Sequence, residues 1–221
     1  SVQRRNVNGV YGSAAFTWNN FWTVEGTARN DWSSTLPRGE NSYFYPSVST
    51  SLVLTDALPQ LKNRYLEFAK LRGGVARVGA DADPYALRTV FTGNSVRFGG
   101  QPQFTLGNVL ANANLKPEIT QSSEVGAELS FLGGRVTFDG TVYDRKTSNQ
   151  IFNVAISPAS GFSNRSINAG SVRNRGFEAL LGVTPVKQAN GLTWTSTFNY
   201  GRNRNRIEQL TDGVSSIILS Q

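Results

Sequence analysis

The 221-residue chain predicts an all-β fold, a section of antiparallel transmembrane β-barrel wall with about eight long strands and long loops at one end. Three observations predict it. Apolar and polar residues alternate with the two-residue period of a strand over segments of about ten residues. Short and long connections alternate along the chain. Aromatic residues gather near the strand ends at two levels, as the two interfaces of a bilayer select.

The segments fall at 8–18, 22–31, 46–55, 68–79, 118–131, 134–146, 174–186 and 191–204. In the first, Val10, Gly12, Ala14, Phe16 and Trp18 share a face; in the second, Trp22, Val24, Gly26 and Ala28. The third gives Val48, Thr50, Leu52 and Leu54, and the fourth Ala69, Leu71, Gly73 and Val75. Next come Val125, Ala127, Leu129 and Phe131, then Val136, Phe138, Gly140 and Val142. The last two give Phe177, Ala179, Leu181 and Val183, and Leu192, Trp194, Ser196, Phe198 and Tyr200. None of these positions is charged. The opposite face carries Glu25, Arg29, Lys70, Arg72, Glu124, Glu128, Arg135, Asp139 and Glu178 among Ser, Thr and Gly. One side is dry and the other wet.

Composition removes whole classes of function. Without Cys or His there are no disulfides, thiolate or imidazole metal ligands, or catalytic triads built on those residues. Catalysis would need carboxylates, Lys or Tyr, and no cofactor is expected. Glu124 and Glu128 are four apart on one strand, about 13 Å, too far for a glycosidase carboxylate pair. The net charge of +7 suits an anionic partner. Nucleic acid is not expected, since Arg72-Gly73-Gly74 is a single copy of a short RNA-binding-like fragment inside a strand. No apolar run approaches the ~20 residues of a membrane helix, and no segment resembles a signal peptide. Met is absent even at position 1, so the chain is expected to be a piece of something longer.

Alternation alone fits a soluble sandwich as well as a membrane barrel. The connections and the placement of aromatics favour the barrel. Asn19-Asn20, Leu132-Gly133 and 187–190 are tight, whereas 32–45, 80–117 and 147–173 are long. The exception, 56–67, is expected to hold a helical turn. Trp18, Phe21, Trp22, Tyr65, Phe68, Phe131 and Trp194 flank the turn side, and Trp32, Tyr43, Phe44, Tyr45, Tyr143 and Tyr200 the loop side.

Six pieces of sequence, taken in order, carry a family resemblance. They are 29–34 (Arg-Asn-Asp-Trp-Ser-Ser), 45–49 (Tyr-Pro-Ser-Val-Ser), 71–79 with its Arg-Gly-Gly, 114–118 (Asn-Leu-Lys-Pro-Glu), 143–147 (Tyr-Asp-Arg-Lys-Thr) and 167–181. The last holds Asn168, Gly170, Asn174, Gly176 and Glu178 in an Asn-x-Gly-x-x-x-Asn-x-Gly-x-Glu pattern. As a set they resemble the SusC/RagA-type TonB-dependent outer-membrane transporters over nearly the whole chain. The resemblance implies a barrel of about 22 strands around a plug, non-enzymatic import of glycans or peptides, and location in the bacterial outer membrane. Residues 1–221 are then part of that barrel, with the plug and final strand elsewhere. Implied partners are outer-membrane lipid and lipopolysaccharide, the protein's own plug, TonB and a SusD-like surface lipoprotein.

Candidate sites follow, each beside a plainer role. The motif residues Asn168, Gly170, Arg173, Asn174, Arg175, Gly176 and Glu178 are expected mainly to organise a loop-to-strand junction, although an Arg173-Asn174-Arg175 turn can also touch substrate. Glu25, Arg29, Asp31, Glu124, Glu128, Arg135, Asp139 and Glu178 are expected to face the lumen and satisfy a plug rather than line an open path. Tyr43, Phe44 and Tyr45 are candidates for stacking on sugars or for an ordinary aromatic girdle. Arg202, Arg204 and Arg206 share a strand face above the membrane and are candidates for lipopolysaccharide phosphates. Two alternatives remain open: a complete small eight-stranded outer-membrane barrel with a structural or adhesive role, and a secreted carbohydrate-binding β-sandwich.

Overall fold

Residues 4–94, 97–189 and 191–210 are described by the computed structural model. Asn190, at the end of one tight turn, and the terminal 219–221, where a final strand was expected to be missing, lie outside them.

The elements run β1 (Val7–Trp18), β2 (Trp22–Ser33), β3 (Ser42–Val53), α1 (Leu54–Ala57), β4 (Leu66–Ala80), β5 (Phe91–Gly93), β6 (Phe104–Leu106) and β7 (Val109–Leu110). They continue with β8 (Glu118–Phe131), β9 (Val136–Ser148), β10 (Ile151–Ala155), β11 (Asn164–Asn168), β12 (Ser171–Lys187) and β13 (Thr193–Gln209). The eight long strands form one antiparallel sheet in the order β1-β2-β3-β4-β8-β9-β12-β13. That sheet is open, with β1 and β13 at opposite edges, so the small closed barrel is not formed. Nor, among the described residues, does a second layer cover the apolar face, as a sandwich requires. Val10, Phe16, Trp18, Val48, Val75, Val125, Val142, Trp194, Phe198 and Tyr200 are all exposed on it.

The tight turns explain why neighbouring strands meet in this register. Asn19 and Asn20 both take positive φ, 44° and 59°, which Asn tolerates at hairpin tips. Between β8 and β9 three successive positive-φ residues, Leu132, Gly133 and Gly134, reverse the chain, and two of them are glycines that carry no Cβ penalty. Arg135 therefore sits in the turn, before β9 begins at Val136, and not on the strand expected from 134. The connection after β3 holds α1 and a 3₁₀ turn at Pro59–Leu61, as its composition suggested, so Leu54 belongs to a helical turn and not to the strand.

A small core sits at the loop end. Leu36, Tyr43, Ala82 and Leu115 are buried together, with Tyr45, Ala86, Leu87 and Ile151 packed against them. The two longest loops supply much of it and are tied to each other. β11 pairs parallel with β7 and antiparallel with β10, and the Ser163 N–H donates to the Asn108 carbonyl at 3.0 Å.

Candidate functional site

Three regions of the sheet collect the residues with chemistry: the polar face, the loop-end junction, and the upper margin of the apolar face.

On the polar face, the Arg72 guanidinium donates to Asp139 at 2.5 and 3.2 Å and to the Thr141 hydroxyl at 2.7 Å. Lys70 lies 3.9 Å from Glu128. Glu25 and Glu124 border the same recess as Lys70 and Arg72, while Glu178 borders a second one beside Arg72 and Asp139. The charges expected to share one face do so. Arg135 lies apart, in its turn. Nearer the loops, Asp31 is buried and accepts from Arg29 Nε at 2.8 Å and from the Tyr45 hydroxyl. Burial alone would raise the Asp31 pKa, but Arg29 and Tyr45 together hold it below the usual range. Desolvation, with the hydrogen bond to Asp31, pushes the Tyr45 phenol up to about 12. Asp31 is thus satisfied within its own strand pair.

Of the three external aromatics, Phe44 is exposed on the apolar face, whereas Tyr43 is 6% exposed inside the loop-end core. Tyr45 is half-buried and stacks on Tyr43 with ring centroids 5.9 Å apart. Tyr43 is therefore enclosed and Tyr45 turned to the polar face, because strand alternation turns both inward beneath the folded loops.

The junction motif behaves as an organiser. The Asn168 side chain accepts from the Lys116 N–H at 2.9 Å and donates to the Lys116 and Asn149 carbonyls at 2.8 and 2.7 Å, locking both long loops to β11. Gly170 follows with φ +106°, where a Cβ would overlap the Gln209 carbonyl. A Cβ on Gly176 would overlap the Tyr143 ring. Glu118, whose pKa is raised by burial, accepts from the Ile151 N–H at 2.7 Å. Asn174 leaves Oδ1 buried and unpartnered among the described residues. Arg173, Asn174 and Arg175 do not form a turn. They lie inside β12, paired on both sides, because the strand runs on past its apolar part.

Strand register then builds a charged margin. Val75, Ser123, Asp144, Arg175 and Arg204 form one row, and Arg77, Gln121, Lys146, Arg173 and Arg206 the next. Opposed residues share a face, here the one carrying Val125, Val142 and Phe177. Toward the loop end, the charges begin two positions beyond the last apolar residue of each strand: Arg77 beyond Val75, Asp144 beyond Val142, Arg175 beyond Phe177 and Arg202 beyond Tyr200. Arg173 reaches Asp144 at 2.6 Å and Glu208 at 3.1 Å; Arg175 reaches Asp144 at 2.9 Å, and Lys146 reaches Glu208 at 2.8 Å. Arg173 first, then Arg175, lowers the Asp144 carboxyl to about 2. Lys146 and Arg173 lower Glu208. Arg77, Arg202, Arg204 and Arg206 pair with no carboxylate among the described residues. Sequence reasoning singled out the last three but missed Arg77, Asp144, Lys146 and Glu208. The signal was present, since following the apolar parity two to eight residues beyond each apolar run finds them all.

Known proteins share this fold. Residues 1–216 match the family model described as TonB dependent receptor-like, beta-barrel. TonB-dependent receptor P26 of Formosa agariphila is 29% identical over 95% of this chain and 21% of its own length. TonB-dependent receptor SusC of Bacteroides thetaiotaomicron is 26% identical over 96% of this chain and 22% of its own. The chain therefore spans about a fifth of these relatives. Among solved structures, the RagAB peptide transporter superposes with TM-score 0.83 at 19% identity, over 95% of this chain and 23% of that one. A siderophore receptor, PirA of Pseudomonas aeruginosa, gives 0.61 at 16% identity, covering 90% and 34%.

Proposed function

The chain belongs to the TonB-dependent receptor-like β-barrel family, a family of the bacterial outer membrane, and from that premise we propose that it walls an active importer of bulky nutrients, glycans or peptides. The apolar face then meets lipid and the polar face the lumen. The observation that carries this is the two-sided sheet: a continuous exposed apolar face backed by a face whose charges are arranged in pairs and polar recesses. Members of the family are receptors and transporters rather than enzymes.

In this proposal the rest of the protein supplies a plug seated on the polar face. Glu25, Glu124, Glu128, Asp139 and Glu178 outnumber Lys70 and Arg72 there, so the matching plug surface carries basic or hydrogen-bond-donating groups. TonB drives the cycle through the plug, a SusD-like surface lipoprotein covers the loop end, and outer-membrane lipid and lipopolysaccharide surround the wall. The structural neighbour RagAB is a peptide transporter, which supports the peptide class; the glycan class rests on the resemblance to the SusC/RagA-type transporters.

The test is a deletion of the whole gene combined with membrane fractionation. The full-length protein should fractionate with outer membranes as a heat-modifiable band, and its loss should abolish uptake of labelled oligomers of one class, oligosaccharide or oligopeptide, while monomers still enter. Recovery as a soluble periplasmic protein, or unchanged uptake of both oligomer classes, would overturn the proposal.

A further inference from the structure

The loop end holds a cationic cavity that neither the lipid-facing wall nor the plug-facing charges explain. We propose that it is a recognition site for a peptide carboxylate, a C-terminus or an acidic side chain, on the incoming oligomer. The inference deepens the importer reading and rests on it.

Convergence is the first argument. The cavity, of about 320 Å³, has the volume of a small-ligand pocket, roughly 300–1,000 Å³. Three segments remote in sequence each bring it one arginine: Arg4 from the approach to β1, Arg38 from the β2–β3 loop and Arg88 from the loop after β4. Backbone contacts fix these segments. The Ser34 N–H donates to the Asn6 carbonyl at 2.9 Å, tying the Arg4 segment to the β2–β3 loop. The Glu40 N–H donates to the Pro37 carbonyl at 2.9 Å, closing a turn around Arg38, and the Arg88 N–H donates to the Tyr85 carbonyl at 3.2 Å.

Charge is the second. Like charges around one cavity repel, so the cluster is costly unless an anion joins it. The fold engages its nearby carboxylates elsewhere. Asp81 accepts from Arg5 at 2.6 and 2.9 Å and from the Ser33 and Thr35 hydroxyls, and Asp31 is held by Arg29 and Tyr45. Glu40 and Asp83 lie on the same loops, yet among the described residues neither forms an ion pair with Arg4, Arg38 or Arg88. A guanidinium is a planar fork that grips a carboxylate through two parallel hydrogen bonds. Further down, the polar face has an acidic excess, so the attraction for a carboxylate is confined to the loop end.

The lining decides between a peptide and a sugar. Leu36, Pro37, Pro84 and Leu87 give the cavity apolar walls, and Tyr85, 48% exposed at φ 69°, adds a ring. Its aliphatic hydroxyls, Ser34 and Thr35, are already engaged: Ser34 Oγ accepts from the Asn6 N–H, and Thr35 Oγ1 donates to Asp81. A saccharide would leave its own hydroxyls short of partners there, at a desolvation cost. A carboxylate flanked by apolar side chains asks for cations beside an apolar wall, and the cavity supplies both.

The experiment uses outer membranes from cells carrying the full-length gene, with membranes of the deletion strain as background. The probes are a fluorescent hexapeptide of Ala and Glu with a free C-terminus, and its counterpart with Gln for Glu and an amidated C-terminus. Wild type should bind the acidic probe about tenfold or more tighter than the neutral one. Arg4→Gln/Arg38→Gln/Arg88→Gln should remove that preference and leave the neutral peptide's affinity unchanged, and Lys at the three positions should restore part of it. The three arginines make no ion pair among the described residues, so the Gln variant should still reach the outer membrane as a heat-modifiable band. Equal binding of the two peptides by wild type, a comparison that needs no variant, would overturn the proposal. So would an undiminished preference in the Gln variant, or tighter binding of a uronate oligosaccharide of matching charge. Unchanged uptake of every oligomer on gene deletion would instead strike the importer reading beneath it.

Discussion

The loop end and the bilayer-level wall of this sheet are held by different solvents. At the loop end Leu115 is 0% and Leu36 4% exposed, and Asn168 makes three hydrogen bonds across two loops; there the protein supplies its own interior. At bilayer level Val125 is 65% and Phe198 61% exposed. A soluble chain with so large an apolar face would aggregate. The difference teaches that this wall has a core in the ordinary sense only where water reaches both faces, and that lipid serves as its second layer elsewhere.

Truncation is the strongest way to break that contrast. Leu115→Ala should cost about 2–5 kcal/mol, the range for emptying a filled site, whereas Val142→Ala should cost under about 1 kcal/mol because an acyl chain follows the surface inward. Urea titration of the full-length protein in vesicles reads both. Equal costs would show that the apolar face is covered by protein instead. Charge insertion is the next largest. Ala127→Arg on the apolar face should cost about 2–4 kcal/mol, while Ser130→Arg on the polar face of the same strand should be nearly neutral. The smallest effect sharpens the margin between the regions. The Asp144 carboxyl is lower in the folded protein than unfolded, so its contribution is complete above the ordinary carboxylate range and is lost as pH falls toward about 2. Wild type and Asp144→Asn should therefore differ by a constant amount from pH 7 to about 5 and converge toward about pH 2. The carboxylate is a third exposed, so the difference is modest.

Strand-level structure was legible in the sequence because each wall strand must satisfy lipid on one side and polar surroundings on the other, and that demand repeats every two residues. β8 matches its expected range, 118–131, and β1 differs by one residue. What escaped was set by partners remote in sequence. β7 and β11 pair although Leu110 and Arg165 are 55 residues apart, and no local pattern announces two- or five-residue strands of that kind. Tyr43 looked like a surface aromatic until the loops from 80–117 covered it. Arg173 and Arg175 looked like a turn because Gly170 precedes them and charge follows. They are strand, since past the lipid the outward face no longer needs to be apolar.

The apolar boundary itself is stepped. From Tyr200, its upper apolar residue on β13, the register passes through Ala179, Gly140, Ala127, Leu71, Leu52 and Trp22 to Trp18 on β1. Yet the upper apolar residue of β1 is Val10, eight residues further along. The boundary thus climbs eight residues over seven strand-to-strand steps. With about 3.3 Å per residue and 4.8 Å per step, a level membrane surface requires the strands to lean about 38° from its normal. The same slope, continued around the missing strands, sets the shear at which the ring closes. A chain that spans a fifth of its relatives therefore already carries the pitch of the whole cylinder in the placement of its last valines and first arginines.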